Sequence, residues 1–155
     1  MSKRNFLVVI DGTDEMQIAL QFACIRAKKT EGQLTLVSFI EPIDVLTTKS
    51  VSDIMKNEAR EEAEAMLHKA SSFAKEETGI TATLHVKEGE LIHELLKLIE
   101  EKNDKVTELI LAASKDEKSP GPIISSITTK NYYKLNVPLI IVPGSLTSDQ
   151  IKLLG

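Results

Sequence analysis

The stretch from Leu109 to Pro143, LILAASKDEKSPGPIISSITTKNYYKLNVPLIIVP, decides how the rest of the chain is read. It opens on a short apolar run, Leu109–Ala113, bounded by polar residues, which predicts a buried strand. The polar loop that follows holds a single glycine, Gly121, between Pro120 and Pro122. A helix is predicted from Ile123 to Leu135. Pro122 suits its first turn, where a missing N–H costs no intrahelical bond. Leu139–Val142, flanked by Pro138 and Pro143, predicts a further short strand. Strand, polar loop, helix and strand in this order are the layout in which α/β proteins build a phosphate cradle.

The same alternation continues towards the N-terminus. Phe6–Ile10 (FLVVI) is a β-branched apolar run that ends at Asp11-Gly12. Met16, Ala19, Leu20, Ala23 and Ala27 then recur at helical spacing, and Gly32 is expected to stop that helix. Leu34–Ile40 predicts a second strand, closed by Pro42, and residues 47–52 a polar loop. A long helix follows, with Ile54, Met55, Ala59, Ala63, Met66, Ala70 and Phe73 on one face and the EAREEAEA charges on a solvated face, ending at Gly79. Ile80 to Val86 alternates apolar and polar residues, as a half-exposed edge strand does. Leu91, Leu95, Leu96 and Ile99 mark another helix. Thr147-Ser148-Asp149-Gln150 has the form of a capping box, so 146–155 reads as a tail with a short helix. The pattern predicts one α/β domain over 1–155, a parallel sheet with helices on both faces. Ligands of such sheets bind beyond the carboxyl ends of the strands, where strand order reverses. The loops Asp11–Asp14, Phe39–Ile43, Gly89–Glu90 and Ser114–Ser126 are the candidates.

Composition narrows the partners. The 155 residues carry a net charge of −4, with no tryptophan and 4% aromatic residues. No basic stripe is present, so neither nucleic acid nor an anionic membrane is expected as a partner. No apolar run approaches the roughly 18 residues that span a bilayer. The N-terminal segment has a short apolar run followed by acidic residues, not a cleavage site. With Cys24 as the sole cysteine, a cytoplasmic location is expected.

Several chemistries lack their residues. There is no phosphate-binding G-x-x-x-x-G-K-[ST], no G-x-G-x-x-G after the first strand and no G-x-S-x-G. VIDGTD is similar to the aspartyl nucleophile motif of haloacid-dehalogenase phosphatases, but the nucleophile position falls on Val9. A response-regulator receiver needs a phosphorylatable aspartate after its third strand, where this chain has Glu88 and Glu90. His68, His85 and His93 fall on separate elements without ligand spacing, so no metal site is expected. Cys24 reads as a buried, inert thiol. Tyr132 and Tyr133 are expected to pack the last long helix, with stacking on a ligand as the alternative.

Two stretches carry a family resemblance. FLVVIDGTDEMQIALQFACIRAKKTEGQLTLVSFIEP and ELILAAS…SSITTKNYYKLNVPLIIVP resemble the opening and closing units of universal stress proteins. The resemblance extends from about Asn5 to Gly144. It implies a five-stranded parallel sheet of order 3-2-1-4-5, a role in stress adaptation, and a homodimer through the last strand, here Leu139–Val142. Ile151, Leu153 and Leu154 are expected to add to that contact.

One branch of the family binds ATP through G-x2-G-x9-G-[ST] after the fourth strand. The matching positions here are Ala113, Asp116 and Ser125-Ser126, so none of the three glycines is present and the second spacer is one residue short. The resemblance sets Asp11 beside the ribose and phosphates, and Phe39 where a backbone group meets the adenine. Asp116 puts a carboxylate where phosphates would lie. Like charges about 4 Å apart repel by about 1 kcal/mol in bulk water and about 4 kcal/mol at an effective dielectric of 20. Lys115 and Lys118 offset part of this. Gly121 is open to two readings: the start of an anion-binding helix, or only a tight turn. The candidate nucleotide or anion site is thus Asp11, Gly12, Phe39, Ala113, Ser114, Gly121, Ser125 and Ser126, with no catalytic residue. The expectation is a non-catalytic homodimer whose degenerate site holds a small anion, or ATP or AMP weakly. The alternative is an ATP- or AMP-binding stress sensor with slow ATP hydrolysis.

Overall fold

A computed structural model describes residues 3–42 and 48–155. The elements are β1 (Asn5–Val9), α1 (Asp14–Thr30), β2 (Gln33–Ile40), α2 (Lys49–Thr78), β3 (Thr83–Glu88), α3 (Leu91–Glu100), β4 (Glu108–Ala113), α4 (Pro122–Thr129), β5 (Leu139–Pro143) and α5 (Ser148–Leu154). The five strands form one parallel sheet in the order β3-β2-β1-β4-β5. This is the α/β architecture that the sequence pattern predicts and the strand order that the family resemblance implies, with β3 at one edge.

The central strands are mostly apolar because both faces are covered, with Asn5, Thr35, Ser38 and Glu108 as their buried polar residues. Phe6, Val8 and Ile10 point into one layer, against Ala19, Leu20 and Ala23 of α1 and Leu67 and Ala70 of α2. Leu7 and Val9 point into the other, against Leu95, Leu98 and Ile99 of α3 and Ile124 and Ile127 of α4. The tail closes back on the domain. Thr147 and Gln150 form a complete capping box for α5, and Ile151 is fully buried beside α1. Burying such a side chain contributes about 1.5–3 kcal/mol. Ile151 therefore serves its own chain, and only Leu153 and Leu154 remain exposed for a contact between copies.

At the amino ends of the strands lies a closed polar network. Arg4 is paired with the buried Glu108, and the Thr107 hydroxyl accepts from Asn5 N and donates to the Glu108 carboxylate. Thr35 Oγ1 donates to Asn5 Oδ1 at 2.9 Å, and Asn5 Nδ2 donates to Asp104 O at 3.0 Å.

Several sequence expectations are corrected. α4 ends at Thr129 and not at Leu135. The Thr128 and Thr129 hydroxyls donate to Ile124 O and Ser125 O, and Asn131 turns back on Ser126 through both its backbone N–H and its side chain. Such local side-chain bonds compete with helix extension. Tyr132 and Tyr133 lie on the following 3-10 turn (Tyr132–Lys134) and are 65% and 70% exposed, so they do not pack α4.

α2 begins at Lys49, capped by Thr48, where a loop to Ser52 was expected, and Thr47 lies outside the described residues. Ile54 and Met55 are exposed, while Leu67 and Ala74 complete the buried stripe. The cause is length: 30 residues of helix run about 45 Å, well past the strands, so the apolar stripe continues where no sheet lies beneath it. In α3 Leu98 is buried together with Leu95 and Ile99, and Leu96 is only half-buried. At the end of α1 the left-handed residue is Glu31. Gly32 is needed for space, because a Cβ there would stand 2.7 Å from Arg4 O.

Candidate functional site

Strand order reverses between β1 and β4: the chain builds outward from β1 through β2 to β3, then returns to place β4 on the other side of β1. Beyond the carboxyl ends of these two strands opens a cavity of about 130 Å³. Val9, Asp11, Thr13, Glu15 and Met16 form one wall, and Ile110, Leu111, Pro120, Gly121, Ile123 and Ile124 the other.

The first wall is set by a local relay. Asp11 Oδ1 accepts from Thr13 N at 3.1 Å and from Thr13 Oγ1 at 2.7 Å. Thr13 Oγ1 in turn accepts from Met16 N and caps α1. Gly12 between them is left-handed (φ 77°), and a Cβ there would meet Met66 Sδ at 2.9 Å. Asp11 therefore orients the start of α1, and its second carboxylate oxygen has no hydrogen-bond partner among the described residues.

The second wall is a loop that satisfies much of itself. Ser114 N donates to Pro120 O at 2.9 Å and closes it. Ser114 Oγ accepts from Asp116 N, Asp116 Oδ1 from Lys118 N, and Ser119 Oγ from Gly121 N. Gly121 has φ 117° and ψ 154°, a conformation essentially reserved for glycine. It starts α4 without any side-chain cap. Pro122 has no N–H, and Ser125 N already donates to Gly121 O. The first-turn N–H groups of Ile123 and Ile124, both on residues lining the cavity, are the donors this helix end leaves open.

The candidate residues divide by position. Asp11 and Gly121 meet in the cavity. Gly12 shares with Asp11 an adjoining groove of about 720 Å³ between α1 and α2. Ser114 lines another adjoining space, of about 380 Å³, with Asp14, Glu15, Lys115 and Gly144. Ala113 and Phe39 are half-buried in the α3/α4 layer. Ser125 is half-buried in α4, where its carbonyl accepts from Thr129 Oγ1. The Ser126 hydroxyl accepts from Asn131 Nδ2 at 2.8 Å and faces a separate groove of about 680 Å³ with His93, Leu96 and Tyr133. In the Gly89–Glu90 loop the Glu90 carboxylate caps α3 by accepting from Ile92 N and His93 N. Ile43 lies outside the described residues.

Of the lining residues, Glu15 lies outside the candidate loops, whereas Thr13 and Ile123 fall within Asp11–Asp14 and Ser114–Ser126. The signal for Thr13 was its place as N-cap between Asp11 and the first helical turn. Gly144 had no periodic signal at all, yet a Cβ there would lie 2.0 Å from Ala113 O.

Electrostatically the cavity is one-sided. Asp11 and Glu15 line it, and among the described residues no lysine, arginine or histidine does. Cys24 is remote and buried, its thiol pushed up to about 12, first by burial and then by Glu77, which makes it a poor nucleophile. His85 on the edge strand is held below its ordinary value, first by burial and then by Lys87. The cleft thus offers apolar walls, a pair of backbone donors and two carboxylates, an arrangement suited to holding a ligand.

Comparison with known proteins agrees with this architecture. No curated protein sequence matches the chain significantly. Among solved structures, the universal stress protein UspA from Lactobacillus plantarum is similar with a TM-score of 0.74 at 15% identity, covering 92% of this chain and 99% of that one. A universal stress protein in complex with cAMP gives 0.67 at 18% identity, with 94% and 100% covered. The universal stress protein from Archaeoglobus fulgidus in complex with dAMP gives 0.62 at 19%, with 92% and 99% covered. At such identities the likeness speaks for the fold. The universal stress protein family model matches residues 3–143, nearly the whole described sheet and its helices. By that match, on a sheet of the order 3-2-1-4-5, the chain belongs to the universal stress protein family.

Proposed function

We propose that this chain is a non-catalytic stress-adaptation protein of the cytoplasm that binds an adenine nucleotide weakly at the switch point between β1 and β4. The observation that carries the reading is the cavity itself, lined by the Asp11 turn and by the uncapped start of α4, Gly121 to Ile124. Two structural relatives are described as complexes with cAMP and dAMP, which supports an adenylate as the ligand class. Weak binding follows from size and charge. About 130 Å³ is well below the roughly 300–1,000 Å³ of sites that enclose a drug-sized ligand. The cavity admits part of a nucleotide, and the rest lies in the adjoining grooves.

The test is a thermal-shift titration with adenosine, AMP and ATP, the last with and without Mg2+. A ligand at 100 times its dissociation constant should stabilise the fold by about 2.7 kcal/mol. No stabilisation by any of the three at millimolar concentration would overturn the reading.

A homodimer through β5 belongs to the same proposal. β5 is an edge strand with one side unpaired, and Ile141 on it is 44% exposed. Uncovered apolar edges invite pairing. Sedimentation should show a dimer that Ile141→Lys converts to a monomer. A monomeric parent at micromolar concentration would remove this part of the proposal.

The second reading, an ATP- or AMP-binding sensor with slow ATP hydrolysis, is favoured by one observation: the uncommitted oxygen of Asp11 in the cleft. Phosphate release lost in Asp11→Asn would establish it.

A further inference from the structure

We infer that the groove between α3 and the turn after α4 binds a phosphorylated sugar. It shares no lining residue with the cavity at Asp11, so the inference stands apart from the adenylate reading. The groove measures about 680 Å³, within the roughly 300–1,000 Å³ of small-molecule sites.

Its polar groups come from the way α4 ends. Asn131 N donates to Ser126 O at 3.0 Å, and Asn131 Nδ2 donates to Ser126 Oγ at 2.8 Å. Both residues are half-buried and line the groove. These bonds leave the Ser126 O–H as a donor and Asn131 Oδ1 as an acceptor, neither with a partner among the described residues. A sugar hydroxyl donates and accepts at once, so one such group satisfies both. Glu100 on the α3 side adds a further acceptor, which Asn136 Nδ2 reaches at 3.5 Å. Tyr133, 70% exposed, offers a ring face at the same groove.

The charges point to an anionic group on that sugar. Lys97 and Lys134 line the groove and form no ion pair among the described residues. Lys134 Nζ lies 5.6 Å from the centroid of the Tyr133 ring, and the Tyr132 ring meets Tyr133 edge-on at 6.0 Å. Such a contact holds an ammonium group without neutralising it. Of the two carboxylates in the lining, Glu90 is engaged by the N–H groups of Ile92 and His93. Glu100 alone opposes the two lysines. A phosphate monoester carries about −1.5 to −2 charges at pH 7, which matches two ammonium groups.

The experiment titrates the full chain with glucose 6-phosphate, glucose and inorganic phosphate, at about 50 mM and about 500 mM salt. Tyr132 and Tyr133 are the only tyrosines and the chain has no tryptophan, so intrinsic fluorescence reports on this turn. Glucose 6-phosphate should bind at least about tenfold tighter than glucose or phosphate, and high salt should weaken it. Lys97→Ala and Lys134→Ala should each lower that affinity about tenfold, and Ser126→Ala about threefold. Phosphate binding should fall in the lysine variants and not in Ser126→Ala. Circular dichroism checks the folding of each variant, and Lys97, exposed on α3, serves where another variant fails to fold. In the 15N-labelled parent, the amides of Lys97, Ser126, Asn131 and Tyr133 should move, and saturating AMP should not reverse the shifts. No response to glucose 6-phosphate at millimolar concentration, equal affinity for glucose, or full affinity in both lysine variants would overturn the inference. Displacement by AMP would merge the two sites and overturn it too, leaving adenylate binding standing. A chain that AMP fails to stabilise but that passes these tests would overturn the adenylate reading alone.

Discussion

The two ends of the sheet handle polar groups in opposite ways. At the amino ends, Arg4, Asn5, Thr35, Thr107 and Glu108 interlock, and the buried members all have partners. At the carboxyl ends, a helix start is left without a side-chain cap beside a cavity lined by the exposed Asp11 and the half-buried Glu15. Both ends contain acids next to backbone donors. The difference is whether the donors are already satisfied by the chain. A closed network contributes stability and specifies register. An open one is available to a ligand and contributes little to the fold.

Substitutions that separate the two ends should separate stability from binding. The largest effect is expected from Arg4→Ala, which leaves the Glu108 carboxylate buried without its cation. Fully buried pairs broken in this way lose about 3–5 kcal/mol; Arg4 is itself half exposed, so about 2 kcal/mol is expected. Urea denaturation should report this loss with unchanged AMP affinity, and a change in affinity would join the two ends.

Gly121→Ala comes next. Its Cβ meets nothing within 4 Å, so the cost is the backbone conformation alone, about 1–3 kcal/mol. Because the same residue aims the open N–H pair, AMP binding should be lost with it. A variant that is destabilised yet binds normally would show that the helix start is only a turn.

Asp11→Asn should change stability by less than about 1 kcal/mol, since Asn can keep the turn to Thr13. It should raise ATP affinity more than AMP affinity.

The smallest effect concerns the middle of the molecule. Cys24, with its thiol pushed up to about 12 from 9.0, should resist thiol reagents at pH 8 unless the fold opens. Its pKa is raised in the folded state, so its contribution is intact below pH 9 and declines between about pH 9 and 12. Labelling as fast as a free thiol would contradict its burial.

The fold was legible because strands covered on both faces must be apolar runs, and Phe6–Ile10, Leu34–Ile40, Leu109–Ala113 and Leu139–Val142 stand out as such. Helix ends were less so. The end of α4 depends on Asn131 folding back onto Ser126, which no periodicity reveals. The exposed start of α2 shows the converse: a stripe at helical spacing, Ile54 and Met55, says nothing of what lies opposite it. In the site, Asp11 and Gly121 were visible as a strand-end acid and a lone loop glycine. The spatial division was not. Ser126 turns to α3 because of its rotation on a helix, and Gly144 matters because β5 brings it against Ala113 O. Both are facts of packing between segments distant in sequence.

On the proposed function, ligand binding belongs to the carboxyl end of the sheet and is carried by the open helix start. The most direct measurement is a titration of the 15N-labelled chain with AMP, followed by amide chemical shifts. Movement is expected at Gly12, Thr13, Gly121, Ile123 and Ile124, with Asn5, Thr35 and Thr107 unmoved. Shifts confined to the groove of His93, Ser126 and Tyr133, or an unchanged Ile123 and Ile124 at saturation, would contradict it.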